Sequence, residues 1–105
     1  MPDDVLEMIG TAALLEQLAE ESAELAQAAL KMARKIRNEN PTPKSHTDCV
    51  ANLQEEIADV ELCISVLPAA LHDPAEIGRT IAAKHRRWNE RLHDEKLWEV
   101  SSHED

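Results

Sequence analysis

Residues 11–38 read TAALLEQLAEESAELAQAALKMARKIRN, and this stretch decides the fold class. Leu14, Leu18, Leu25, Ala29, Met32 and Ile36 recur at helical spacing and form one stripe. Ala, Leu, Glu, Gln and Lys fill most other positions, the residues that lose least on entering a helix. At 1.5 Å per residue such a helix would be about 40 Å long. Just upstream, a short helix is expected over Asp3 to Ile9, interrupted near Gly10-Thr11. Downstream, residues 38–44 read NENPTPK, where two prolines and two asparagines oppose continuation.

Ser45-x-x-Asp48 has the form of a capping box and opens a second long helix. Val50, Leu53, Ile57, Val60, Ile64 and Leu67 supply its stripe, and Pro68 marks a kink or an end. Asp73-Pro74-Ala75-Glu76 then gives an N-cap, a proline at the first helical position and an acid at the third, the clearest helix start in the chain. The last helix is expected from about Pro74 to Leu97 or beyond, with Ser101 to Asp105 a flexible polar tail. The fold class is therefore all-α: a bundle of three main helices plus a short N-terminal one, in a single domain spanning residues 1–105. Its core must be aliphatic, because the chain has no Phe or Tyr and only two Trp, Trp88 and Trp98. A core this small predicts a bundle completed by oligomerisation.

A formal net charge of −10 argues against general binding to nucleic-acid backbones or anionic membrane surfaces and suits a protein that concentrates cations. No apolar run reaches bilayer length and no signal peptide opens the sequence. Cys49 and Cys63 lie fourteen residues apart within helical patterns, without C-x-x-C or Cys/His zinc spacing. Reduced thiols in or near the core of a cytoplasmic protein are the expectation.

Two carboxylate pairs carry the chemistry: Glu21-x-x-Glu24 on the first long helix and Glu56-x-x-Asp59 on the second. Residues three apart on a helix share a face, so each pair can share a cation. At roughly 100° per residue, Glu21 and Glu24 fall about 60° and 120° to one side of their stripe centre. Glu56 and Asp59 take about the same offsets, on the same rotational side of theirs. Packed together, the two helices would carry four carboxylates at the margin of one interface. Such groups repel and lose hydration unless cations neutralise them. Oxygen-only ligands favour Mg²⁺, Mn²⁺ or Ca²⁺ over zinc, and Mg²⁺ accepts phosphate oxygens, so the substrate is expected to carry phosphates. A single E-x-x-E is common on solvated helix faces, and Glu16, Glu20 and Glu55 are of that kind. Matched pairs on successive helices are less readily explained that way.

EESAELAQAALK, residues 20–31, followed by EEIADVELCISVL, residues 55–67, resembles the MazG-like all-α nucleoside triphosphate pyrophosphatases. Their hallmark is E-x-x-E, a loop, then E-x-x-D, which Glu21, Glu24, Glu56 and Asp59 match one for one. The resemblance covers roughly residues 11–92, and the 31 residues between Glu24 and Glu56 make a long separation that the Pro-rich loop would absorb. It implies hydrolysis of a (d)NTP to a (d)NMP and pyrophosphate, with Mg²⁺ (or Mn²⁺ in its place) as cofactor. Glu21 is the first choice for the base that takes a proton from water. The expected partners are the nucleotide and further copies of the chain, as a dimer or tetramer, with no nucleic acid and no membrane.

Phosphate charge beyond the metals needs basic side chains. Residues 84–91 read KHRRWNER, the densest basic run in the sequence, and related enzymes draw phosphate ligands from this helix. Lys84, Arg87 and Arg91 are the candidates, with Lys31 a second source. A basic surface answering the acidic helices would carry the same residues. Trp88 could stack on a base, but a large ring is more often core packing. The histidines show neither H-x-x-x-H nor E-x-x-H spacing, which counts against zinc hydrolases and di-iron bundles. The alternatives are a phosphoribosyl-ATP pyrophosphatase-like enzyme and a non-catalytic helical oligomerisation or interaction module.

Overall fold

The computed structural model describes residues 2–38 and 44–103, and among them it holds three helices and no strand. These are α1 (Pro2–Arg37), α2 (His46–Ser65) and α3 (Pro74–His103). Two compact units result: Met1–Leu71, which contains α1 and α2, and His72–Asp105, which contains α3. None of these helices is long and apolar enough to cross a membrane. Most of the loop expected to break the chain, residues 39–43, lies outside the described residues.

The helix boundaries follow from local chemistry. Gly10 interrupts α1 with φ 83° and ψ 166°, so a short N-terminal helix meets the long one at a sharp break. Asn38 leaves α1 with φ 56°, the left-handed conformation that Asn tolerates at a helix end. Arg34, Lys35 and Arg37 in the last turn oppose the negative end of the helix dipole. At α2 the Ser45 hydroxyl accepts the Asp48 amide at 3.1 Å. At α3 the Asp73 carboxylate accepts the amides of Ala75 and Glu76 at 3.0 and 3.2 Å. Both caps satisfy donors that a helix start otherwise leaves without partners.

α1 and α2 pack as an antiparallel hairpin: Glu21 meets Asp59, and Leu14 lies at the same end as Val66. The seam does not follow the expected stripes. Its buried side chains are Leu14, Ala28 and Met32 on α1, and Cys49, Cys63 and Val66 at and beyond α2. Adding the half-buried Leu18, Glu21 and Leu25, the α1 seam runs 14, 18, 21, 25, 28, 32. With half-buried Asn52, Glu56 and Asp59, the opposing seam runs 49, 52, 56, 59, 63, 66. Steps alternating between three and four residues are those of two helices packed knobs into holes. The consequence is a rotation of both helices toward their polar residues. Ala29 and Ile36, expected inside, are exposed, as is Ile57. Val50, Leu53, Val60, Ile64 and Leu67 are only half-buried.

The rotation leaves an apolar face. Leu15, Ala29 and Ile36 lie to one side of the α1 seam, and Ile57 and Ile64 to the corresponding side of the α2 seam. In an antiparallel pair these sides coincide. Glu24 and Asp59 lie on the other. On α3, Ile77, Ile81, Trp88 and Leu92 form a second exposed stripe. Trp88 is 58% exposed, so the ring expected in a core instead lies on a surface.

Gly10 and Gly78 give opposite predictions. A Cβ at either position meets nothing within 4 Å, so backbone conformation alone decides the effect. The Gly10 torsions lie in a region that other residues essentially avoid, and Gly10→Ala should destabilise by about 1–3 kcal/mol. Gly78 is inside α3, and Gly78→Ala should stabilise by about 0.5–1 kcal/mol. Chemical denaturation of both variants against the parent checks the pair of signs.

Candidate metal centre

Glu21 and Glu24 stand one helical turn apart on α1, as do Glu56 and Asp59 on α2. Hairpin packing brings the two turns level. One carboxylate oxygen from each residue lies within 4.8 Å of the other three. Glu21, Glu56 and Asp59 are half-buried and Glu24 is exposed, so the cluster is rooted in the seam and opens to water on one side. Glu16, Glu20 and Glu55, set aside as solvated, are exposed.

Two oxygens define the electrostatic problem. Glu21 Oε2 and Glu56 Oε2 are fully buried and have no hydrogen-bond partner. Glu21 Oε1 is partnered: Gln17 Nε2 donates to it at 2.8 Å across one turn of α1. Two unit charges about 5 Å apart repel by roughly 3 kcal/mol at the effective dielectric of a protein surface. A buried, unpartnered carboxylate oxygen adds a desolvation cost of about 1–3 kcal/mol. Among the described residues no ion pair reaches the four carboxylates; the one present joins Arg79 and Glu76 on α3. A hard divalent cation answers both costs, since each carboxylate offers it an oxygen and the open side leaves room for water or phosphate ligands. The donor set fits Mg²⁺ or Mn²⁺.

An apolar cleft of about 200 Å³ adjoins the centre and shares Glu21 and Asp59 with it. Val5 and Ile9 of the short N-terminal helix form one wall, Leu62, Cys63 and Val66 another, and Gln17 reaches its edge. Sequence patterning did not single out this cleft, because its walls come from segments that only the Gly10 break and the hairpin bring together. The one local signal was Gln17, four residues before Glu21 on the same helix face. Both thiols are free and buried, as expected. Burial, and then the charges of Glu21 and Asp59, push the Cys63 thiol above its usual range.

The basic candidates are placed differently. Lys84, Arg87 and Arg91 are exposed on α3 and line a groove with Trp88, Glu90 and Asp94. Lys31 is exposed on α1, two turns beyond Glu24. Comparison with protein families, with curated proteins and with solved structures found no match.

Removing one charge should relieve the cation-free protein. Glu56→Gln is expected to raise Tm without divalent ions by a few degrees, from about 1 kcal/mol of relief. It should also shrink the upward Tm shift that millimolar Mg²⁺ or Mn²⁺ gives the parent. Equal cation-induced shifts in both proteins would remove Glu56 from the ligand set.

Proposed function

We propose that the chain is a Mg²⁺-dependent nucleotide pyrophosphohydrolase of the MazG-like type, cleaving a (d)NTP to a (d)NMP and pyrophosphate. The observation that carries this reading is the set of four carboxylate oxygens within 4.8 Å of one another, two of whose side chains have buried oxygens without partners. The E-x-x-E and E-x-x-D pattern of Glu21, Glu24, Glu56 and Asp59 supports the same reading.

Glu21, Glu24, Glu56 and Asp59 would hold the cation. When bound, it would offset phosphate charge and lower the pKa of a nearby water. Glu21 Oε2, buried and unpartnered, is the atom we assign to receive the proton of the attacking water. The Gln17 amide, held on Oε1, fixes the orientation of that carboxylate. Lys84, Arg87 and Arg91 are proposed as ligands of the remaining phosphate charge, with Lys31 a second source; all four side chains are exposed. Mn²⁺ would serve in place of Mg²⁺, and a cytoplasmic location would keep the free thiols reduced.

The reaction is tested with a panel of NTPs and dNTPs, and with phosphoribosyl-ATP, assayed with Mg²⁺ for pyrophosphate against orthophosphate. Pyrophosphate is the expected product. Glu56→Ala and Asp59→Ala should abolish it while helical content stays nearly unchanged. Neutralising Lys84, Arg87 or Arg91 should raise KM, lower kcat, or both, by roughly tenfold, the scale of one charge-assisted contact. Parent-like constants in all three variants would remove α3 from the site. Preference for phosphoribosyl-ATP would move the assignment to that related activity.

We further propose that the chain works as a homo-oligomer, a dimer or tetramer. The support is the exposed apolar face of the hairpin, with Leu15, Ile36 and Ile57 on it, and the stripe of Ile77, Ile81, Trp88 and Leu92 on α3. Sedimentation at micromolar concentration should give a multiple of 11.7 kDa. A compact monomer would overturn the proposal.

A further inference from the structure

We infer that Gln17 is a specificity-determining residue of the carboxylate centre. By holding Glu21 Oε1 it leaves Glu21 one free oxygen, which turns the site against Ca²⁺ and toward Mg²⁺ or Mn²⁺. The inference rests on the reading of the four carboxylates as a cation site and deepens it by naming what selects the ion.

The two oxygens of Glu21 are in different states. Oε1 accepts from Gln17 Nε2 at 2.8 Å, across one turn of α1. Oε2 is fully buried and has no partner. A hydrogen bond to an ionised acceptor is stronger than one between neutral groups, so a cation that called on both oxygens would have to break a good bond. The candidate ions differ in whether they ask for that. Ca²⁺ gathers about six to eight oxygens and often takes both from one carboxylate. Mg²⁺ gathers about six, holds them closer, keeps several waters and needs few protein oxygens. One oxygen each from Glu21, Glu24, Glu56 and Asp59, all within 4.8 Å of one another, meets the second demand with water on the open side. The first demand needs further protein oxygens, and Glu21 Oε1 is closed to it.

Reach and charge both favour glutamine at this position. Lys or Arg could donate to Oε1 across the same turn, but each would set a positive charge against the ion. Asn is a methylene shorter, and Ser shorter still. Gln spans the turn, donates, and adds no charge. Its side chain is exposed, so the amide can be removed without emptying the core.

The test is calorimetry on the full chain with the metal alone, Mg²⁺, Mn²⁺ and Ca²⁺ titrated in turn and no nucleotide present. Gln17→Met keeps the length and helix propensity of the side chain and removes its donor. Gln27→Met makes the same change at another exposed position of α1, about 15 Å further along the helix. Gln17→Met should move the ratio of Ca²⁺ to Mg²⁺ affinity toward Ca²⁺ by about fivefold or more, with circular dichroism showing unchanged helix content. The ratio of Ca²⁺ to Mn²⁺ affinity should move the same way. Gln27→Met should leave both ratios within about twofold of the parent's. Ratios that stay within twofold in Gln17→Met, or move away from Ca²⁺, or shift equally in both variants, overturn the role of Gln17 while the cation centre stands. Absence of binding by all three ions to the parent overturns both.

Discussion

The structure turns on the burial of like charges in a helix seam. A hairpin of α1 and α2 could have packed its aliphatic stripes together and left every carboxylate in water. Instead Glu21, Glu56 and Asp59 occupy seam positions, level with one another and with exposed Glu24. Among the described residues no ion pair offsets the cluster. Without a ligand the arrangement costs folding energy, through repulsion and through the two orphaned oxygens. With a divalent cation the same oxygens become an assembled ligand set. Metal binding and hairpin stability are then linked.

The rest of the hairpin follows from that placement. Turning the seam toward the acids leaves it Leu14, Ala28 and Met32 on α1, with Cys49, Cys63 and Val66 opposite. Other aliphatic residues, Ile36 and Ile57 among them, are moved outward to the side away from Glu24 and Asp59. One face of the hairpin is therefore apolar, while the other carries Glu24 and opens to solvent. At the end where Leu14 meets Val66, Val5 and Ile9 complete the cleft. The break at Gly10 is what lets them do so.

Much of this was legible in the sequence, for local reasons. Caps at Ser45 and Asp73, the break at Gly10 and the stop after Arg37 are each written in a few adjacent residues. The pairing of Glu21-x-x-Glu24 with Glu56-x-x-Asp59 was legible too, because matched offsets on two helices survive any rotation of the pair. The rotation itself was not. Hydrophobic periodicity locates the apolar side of a helix, and a helix that buries two apolar sides has a stripe centre lying between them. The expected margin position of Glu21 and Glu56 was thus displaced into the seam. Trp88 illustrates the same limit: size and hydrophobicity argue for burial, yet they do not say whether the surface that buries a ring belongs to its own chain.

A non-catalytic helical module explains the apolar faces equally well, so the seam must discriminate. Interaction helices do place polar residues in their seams, where one buried Asn or Lys fixes register at some cost in stability. Asn52, half-buried between Cys49 and Glu56, could serve that purpose alone. Three half-buried carboxylates level with one another go beyond what register requires, and they specify against packing, because the hairpin would gain by replacing any of them with Leu or Asn. Register devices also satisfy their own hydrogen bonds, whereas Glu21 Oε2 and Glu56 Oε2 have none. The Gln17 donor on Glu21 Oε1 sharpens the contrast, since it orients one oxygen and leaves the other free. Such a layer gains only from a positively charged ligand of small radius. The proposed hydrolase, acting on a phosphoanhydride, would use both that ligand and the apolar cleft beside it.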